Sequence, residues 1–135
     1  MRSKILASLA AVSLLATSAY AAPRQTPEEK LAKTLEGRTA GKPVECIYLR
    51  DIRSSRIFDR TAILYELNNG TYYLNRPEGG ASSLSWGDVL VTDTHSPQLC
   101  SIDIVRLYDT HPWMQNGFVN LGKFVPYKKV VANKD

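Results

Sequence analysis

The sequence predicts a mainly β domain, either a small antiparallel barrel or a two-layer sandwich of about six to eight strands, with one short N-terminal helix. Short runs rich in β-branched and aromatic residues recur along the chain, and Gly, Pro, Asn and Ser separate them. Only one stretch carries the signals of a helix start. Asn69-Gly70 lies between two such runs, as expected for the turn of a β-hairpin.

The first 21 residues have the pattern of a secretory signal peptide. Arg2 and Lys4 form a basic start, and the apolar run at residues 5–16 is too short to span a bilayer. Small residues at Ala19 and Ala21 suit cleavage before Ala22. We therefore expect a periplasmic or secreted protein with no membrane anchor after cleavage, the alternative being a retained anchor.

The remaining chain, residues 22–135, suits one small domain. Without Arg2 and Lys4 the 17 basic side chains fall to 15, against 13 acidic ones, which leaves a net charge of +2. A charge so close to neutral gives no electrostatic basis for nucleic-acid binding, so we expect no such partner.

Cys46 and Cys100 are the two cysteines of a chain that is expected to enter an oxidising compartment. A structural disulfide between them is the preferred interpretation. The alternative is a reactive thiol or a thiolate metal ligand, which needs a base or a further ligand close by.

A helix is predicted to start at Pro27. Thr26 can cap it, proline suits its first position, and Glu29 completes a capping box. Gly37 is a natural stop. The helix and a flexible connection at 37–43 make residues 22–42 an N-terminal helix and linker, and the helix is expected either to pack on the β domain or to fray.

Residues 61–75 predict a β-hairpin around Asn69-Gly70. We expect these two residues to form a two-residue type I′ loop, which pairs Leu67 with Tyr72. In that register one face carries apolar residues, and we expect them to lie in the core: Ile63, Tyr65, Leu67, Tyr72 and Leu74.

Four arginines lie in residues 50–60, just before the hairpin. On a helix, Arg50, Arg53, Arg56 and Arg60 would form a basic stripe able to meet phosphate or an acidic polysaccharide. The preferred interpretation is a turn and a short strand starting near residue 57, with solvated arginines. Arg50, Arg53 and Arg56 are kept as binding candidates.

The β domain is expected to span residues 43–130, followed by a frayed tail at 131–135. Besides the hairpin, strands are predicted at 44–49, 84–86, 88–92, 99–109 and 118–127, the last stopped by Pro126. The apolar phase changes within 99–109, which indicates a β-bulge or a strand that leaves its sheet. Residues 110–117 are expected to form a long loop.

A catalytic or metal site is a weaker hypothesis. Asp93 and His95 are two residues apart, and together with Asp103 or His111 they have the donor groups for a general base or a metal. No motif supports them, and Asp103 is more simply a hydrogen-bonded structural carboxylate. We predict no metal and no cofactor.

Aromatic residues offer a second kind of candidate site. Trp86, Trp113, Tyr108 and Tyr127 either line a ligand groove or cap the ends of the β core. Trp113 and its neighbour Met114 are the pair expected to be exposed, and so are the better candidates for an interaction.

Four segments of the chain, in their order, carry a family resemblance: ECIYLRDIRSSRIFDRTAILYEL, TYYLN, LCSIDIV and LGKFVPY. They resemble an uncharacterised family of small secreted proteins of Gram-negative bacteria, carried as a domain of unknown function. The resemblance covers roughly residues 44–127. Members of that family often have a second cysteine pair, after the hairpin and before the Leu-Gly segment, and both cysteines are missing here. The resemblance implies Cys46–Cys100 as the sole bridge, and it implies no activity and no catalytic residue.

The preferred function is therefore a non-enzymatic structural or binding module of the periplasm or exterior. One alternative is an inhibitor or partner of a secreted hydrolase, which would present the loop at 111–117. The other is a small hydrolase that uses Asp103 with His95 or His111.

Overall fold

A computed structural model describes residues 21–131. The chain is mainly β, with a single α-helix, α1, at Pro27–Thr34. The strands in chain order are β1 Arg38–Ala40, β2 Cys46–Tyr48, β3 Ile52–Phe58, β4 Ala62–Leu67, β5 Tyr72–Asn75, β6 Val89–Thr92, β7 Gln98–Cys100, β8 Ile104–Thr110, β9 Trp113–Asn120 and β10 Phe124–Lys129. The signal-peptide prediction falls almost wholly on residues outside this range, so it stays a prediction.

The described strands form three antiparallel sheets, ordered β1-β10-β5-β4-β3, β2-β7 and β6-β8-β9. None of them closes on itself, so the barrel is not confirmed, and the arrangement is sandwich-like. Ten strands exceed the predicted six to eight because several short or exposed strands carry little apolar periodicity.

Two hydrophobic cores lie on opposite faces of the five-stranded sheet. The larger joins it to the two smaller sheets, and its fully buried members include Ile63, Leu99, Val105, Leu107, Val119 and Phe124. The smaller lies under α1, where Leu31 packs with Phe58, Ala62, Leu64 and Leu74. Strand β4 is therefore buried on both faces, which explains why Ala62 to Tyr65 are all buried.

The helix-start prediction is confirmed. The N–H of Glu29 donates to Thr26 Oγ1 at 3.2 Å, and the N–H of Thr26 donates to Glu29 Oε2 at 2.7 Å. Gly37 follows the helix with a φ of +72°, a conformation that glycine adopts readily. The helix packs on the sheet through Leu31, which is 1 % exposed.

The hairpin at 61–75 exists, but its predicted register is wrong by one residue. The N–H of Leu67 donates to Thr71 O, and the N–H of Gly70 donates to Leu67 O, so the loop has three residues. Gly70 has a φ of +81°, and Asn69 has no positive φ. Such a loop is a turn closed by a one-residue bulge at glycine.

The one-residue shift changes which side chains share a face. Leu64 now pairs with Leu74, and Tyr65 pairs with Tyr73. Leu74 therefore joins Leu64 in the helix-side core, whereas Tyr65 stays in the sandwich core. The predicted common face of Tyr65 and Leu74 is wrong.

Other boundaries also differ from the predictions. Residues 38–40 of the predicted linker form β1 against β10, so the β region begins earlier. The predicted strand at 84–86 does not form, because that segment pairs with no strand among the described residues. The strand predicted to begin near residue 57 instead ends at Phe58, having begun at Ile52.

The segment at 99–109 does leave its sheet, as one of the two interpretations proposed. Its first part is β7, paired with β2, and its second part is β8, paired with β6 and β9. The long loop predicted at 110–117 is wrong, because Trp113–Asn120 forms β9.

Pro126 lies inside β10, where its carbonyl accepts a hydrogen bond from the N–H of Gly41 at 2.7 Å. Lys128 and Lys129 belong to the same strand, and residues 132–135 of the predicted tail lie outside the described residues.

The predicted disulfide is confirmed. Cys46 in β2 and Cys100 in β7 are directly opposite each other and are joined by an S–S bond of 2.08 Å. The neighbouring pair, Ile47 and Leu99, is buried in the larger core. The bridge thus joins the two strands of the short β2–β7 sheet, whose buried residues belong to the larger core.

Tyr65 carries a polar group that the core does not satisfy. Its side chain is 4 % exposed, its hydroxyl has no hydrogen-bond partner within residues 21–131, and burial raises its pKa. We expect Tyr65→Phe to leave the free energy of unfolding unchanged or to raise it by up to about 1 kcal/mol, since phenylalanine removes an unpaired buried group. Urea unfolding measures this, with Tyr73→Phe as the half-buried control. A loss above about 1 kcal/mol would show that the hydroxyl has a partner.

Candidate functional site

A groove of about 930 Å³ lies between α1 and the C-terminal half of β3. Lys30, Lys33 and Thr34 form the helix side, and Arg56 to Asp59 form the strand side. The indole of Trp86 lines the groove as well. Two other hollows, of about 430 and 740 Å³, are smaller.

The helix wall is held in place at its N-terminal end. Arg76, just after β5, donates two hydrogen bonds to the Glu28 carboxylate, at 3.2 and 2.6 Å. This contact lowers the pKa of Glu28 below its ordinary value of 4.5. Because the pKa is lower in the folded state, the contact stabilises the fold above that ordinary value and is lost as the pH falls through the lowered one.

The loop after β5 positions Trp86 beside the end of β3. The N–H of Arg60 donates to Leu84 O at 3.0 Å, and the N–H of Trp86 donates to the Asp59 carboxylate. Leu84 is buried in the larger core and anchors the segment. The Trp86 side chain nevertheless remains 77 % exposed.

Three cationic groups line the groove: Lys30 and Lys33 of α1, and Arg56 of β3. Among the described residues, no carboxylate lies within 4.0 Å of any of them. Asp59 is the one acidic side chain in the lining, and it accepts the N–H of Trp86. The groove therefore has a local positive charge in a part of the chain, residues 22–135, whose net charge is only +2.

The predicted arginine candidates separate in the structure. Arg50 Nε lies 3.7 Å from Asp51 Oδ1, and the Arg50 guanidinium lies over the Tyr48 ring. Arg53 Nη1 lies 3.8 Å from Glu66 Oε1. Only Arg56 reaches the groove. The basic stripe, which was the alternative interpretation, does not form, because the segment is mostly a strand, whose successive side chains point to opposite faces.

Asp103 has a structural role. Its Oδ2 accepts the N–H of Cys100 at 2.7 Å and so closes the turn between β7 and β8. It also lines a smaller hollow of about 430 Å³ together with Asp93 and Arg106, and neither histidine lines that hollow. His111 lies beyond the opposite end of β8, a strand of seven residues that spans about 23 Å. Asp103 and His111 therefore do not meet.

Trp113 lies at the tip of the β8–β9 hairpin. Its ring stacks on Tyr108, with ring centroids 5.0 Å apart, and its side chain is 62 % exposed. Met114 beside it is 60 % exposed, as predicted for this pair. Tyr127, by contrast, packs against the helix-side core.

Lys30 and Lys33 were not among the predicted site residues. Their spacing of three residues places both on one side of α1, opposite the Glu28 side, and this signal was available. The sequence does not show that this side of the helix faces Arg56, because that depends on how the helix lies on the sheet. Trp86 was named as an aromatic candidate, but its neighbours in the groove were not predictable.

Within the described range, no group of three or more His, Cys, Asp or Glu side chains is placed to hold a metal ion. Over the same residues, no helix has the length and apolar character needed to cross a membrane. Comparisons with protein-family models, with curated proteins and with solved structures found no match to this chain.

Proposed function

We propose that this protein is a non-enzymatic binding module of the periplasm or exterior, and that the groove between α1 and β3 binds an anionic ligand. The observation that carries the proposal is the set of three cationic side chains without described carboxylate partners, grouped around one exposed tryptophan. A concave surface with a few convergent charged groups is a common form of ligand site.

The electrostatic part of the argument is local. Lys30, Lys33 and Arg56 add three positive charges to the groove wall, against one negative charge from Asp59. In a concave site such charges reinforce one another and attract an anion. Arginine also supplies a planar pair of donors that matches a carboxylate or a phosphate.

Trp86 supplies the apolar part of the site. A tryptophan that is 77 % exposed leaves a large apolar surface in contact with water. Its backbone is fixed by Asp59, so the ring is presented to the groove from an anchored segment. A ligand that covers this ring gains hydrophobic contact in addition to its charge interactions.

The two alternatives receive less support. The hydrolase needs Asp103 beside His95 or His111. The Asp103 carboxylate accepts a backbone N–H, neither histidine lines the hollow at Asp103, and His111 lies beyond the far end of β8. The inhibitor needs a projecting loop at 111–117, most of which is strand β9. The exposed Trp113 keeps the hairpin tip as a second candidate for contact with a protein partner.

The location rests on the signal-peptide pattern and on chemistry. A disulfide between Cys46 and Cys100 is compatible with an oxidising compartment such as the periplasm or the exterior. The leader-like residues 1–21 are those expected of a protein sent there.

Binding is tested by the fluorescence of Trp86 in a Trp113→Phe background, which leaves one indole reporter. Probes are tripolyphosphate, tetragalacturonate and acetylated hexaglutamate, each added at low and at high salt, with cellotetraose and hexaglutamine as neutral controls. We expect at least one anion to shift the emission and the neutral compounds to leave it unchanged. Salt should weaken the response.

The variants Lys30→Gln, Lys33→Gln and Arg56→Gln should each weaken binding roughly tenfold, because a charge-assisted contact contributes about 1.5 kcal/mol. Lys42→Gln is the control, since Lys42 is exposed and lies outside the groove. No response to any anion, or equal effects of Lys42→Gln and Arg56→Gln, would refute the proposal.

A further inference from the structure

Resting on the proposed function, we infer that the ligand of this groove is an extended acidic peptide segment that adds to β3 as a sixth strand of the large sheet. The reason lies in the shape of the groove floor. Four consecutive residues, Arg56 to Asp59, line the groove. Side chains alternate across a strand, so a groove that touches all four follows the edge of the strand and not one of its faces.

The burial of these residues agrees with that geometry. Ile57 belongs to the sandwich-side core and Phe58 to the helix-side core, so the two side chains point to opposite faces. Both nevertheless line the same groove. The groove thus lies along the outer edge of β3, with α1 as one wall and the segment that carries Trp86 beside its end.

β3 is an outer strand of its sheet. It ends the order β1-β10-β5-β4-β3 and pairs with β4 alone within residues 21–131. The carbonyl of Phe58 accepts the N–H of Thr61, and so points towards the turn to β4. By alternation, the N–H and C=O groups of Ile57 and Ser55 point outward, where an added strand finds two donors and two acceptors.

The charges select the kind of strand. Arg56 pairs across the sheet with Leu64, which places it on the helix-side face, where Lys30 and Lys33 also lie. Every second side chain of an added strand points to that face, so acidic residues at alternate positions meet the cations. The intervening positions face the other side of the sheet, the side on which Ile57 lies.

The same charges disfavour other strands. Edge strands are commonly protected from uncontrolled pairing by charged side chains and by bulges. β3 has both, namely Arg53 and Arg56 and a register irregularity between Ile52 and Ser54. Pairing of β3 with β3 of a second copy would add like charges along the shared edge, whereas an acidic strand neutralises Arg56.

The test uses the full mature chain and an acetylated, amidated peptide of sequence Glu-Val-Glu-Thr-Glu-Val, followed by Trp86 fluorescence. We expect binding, and at least a tenfold slowing of amide exchange at Ser55 and Ile57 by NMR when the peptide is present. Tripolyphosphate should not slow exchange at these amides. The same peptide with Lys in place of Glu should not bind.

Backbone pairing is probed from the peptide side by two N-methylated versions, one at odd and one at even positions. Strand addition predicts that one version loses at least tenfold in affinity while the other stays within threefold. Equal affinities for the two versions, with no added protection at Ser55 and Ile57, overturn the inference while the anion-binding proposal stands. Absence of any response to all anions overturns both.

On the protein side, Ser55→Pro removes an outward N–H from an edge strand, a position where proline is tolerated. It should weaken peptide binding at least tenfold and leave any tripolyphosphate binding unchanged, with Ser55→Ala as the control. If Ser55→Pro does not fold, the N-methylated peptides decide the question. Analytical ultracentrifugation of the free protein tests for a dimer. If a dimer forms and Ser55→Pro or Arg56→Gln disrupts it, the occupant of the groove is a second copy of this chain and not an acidic peptide.

Discussion

Asn75→Ala is expected to lower the free energy of unfolding by about 3 kcal/mol, because it removes two hydrogen bonds in a fully buried position. Asn75 is 0 % exposed. Its Nδ2 donates to Gly122 O at 2.6 Å, and its Oδ1 accepts the N–H of Gly122 at 3.0 Å. The alanine variant leaves both backbone groups of Gly122 unpaired and opens a cavity at the end of β5. Urea unfolding measures the loss.

Asn75→Asp keeps the shape of the side chain but removes its hydrogen-bond donor. The carboxylate still accepts from Gly122 N–H, but its second oxygen faces the Gly122 carbonyl. Burial and this repulsion raise the pKa of the new aspartate in the folded state above its value in the unfolded chain. Above that unfolded value the variant is therefore destabilised, and its deficit relative to the native protein shrinks as the pH falls and the carboxyl takes up a proton.

Asn69→Asp is the matched control. The side chain of Asn69 is exposed and acts as an acceptor alone, from the N–H of Thr71 at 2.9 Å. A carboxylate keeps that role, so the change should stay within about 0.5 kcal/mol. If Asn75→Asp were equally mild at neutral pH, the buried contact with Gly122 would not hold as described.

The contrast between these two asparagines shows which features can be predicted from the sequence. Local signals with a fixed geometry were predictable: the capping box at Thr26 and Glu29, the disulfide, and the presence of a hairpin at Gly70. Asn75 gave no such signal, because its partner Gly122 is distant in the sequence and only the folded chain brings them together.

Register was the least predictable feature. Asn69-Gly70 fits both a two-residue loop and a three-residue loop with glycine in the last position, and the two differ by one residue in pairing. Apolar residues on both faces of β4 removed the alternation that decides between them. Strand β9 was missed because it has too few buried residues to show an alternating pattern. It is mostly exposed and buries only Val119 fully, so that its sequence resembles a loop.

The candidate site was less predictable than the fold. Arg56 was predicted as a binding candidate together with Arg50 and Arg53, but of these three only Arg56 lines the groove. Its groove partners Lys30 and Lys33 come from a helix whose position is set by Leu31, packed on Phe58 and Leu64. A site built across two elements depends on their packing, and single-element patterns do not contain that information.

Loss of the disulfide is expected to have the largest effect on stability. Cys46 and Cys100 are separated by 54 residues. Closing a loop of that length stabilises the fold by about 4 kcal/mol when the entropy of the unfolded chain is taken as the cause. The double variant Cys46→Ala/Cys100→Ala avoids a stray thiol and should lower the melting temperature by roughly 15 °C.

Reduction of the native protein by dithiothreitol should give a similar loss, and it should leave the double variant unchanged. Free-thiol titration of the denatured, unreduced protein should find none, since both cysteines are bonded. An unchanged melting temperature in the double variant would show that the β2–β7 pair is held by Ile47 and Leu99 in the core, without need of the bridge. The expected loss of about 4 kcal/mol is a large part of the stability of a domain this size. A disulfide that contributes this much to stability is compatible with an oxidising compartment, the location that the pattern of residues 1–21 predicts.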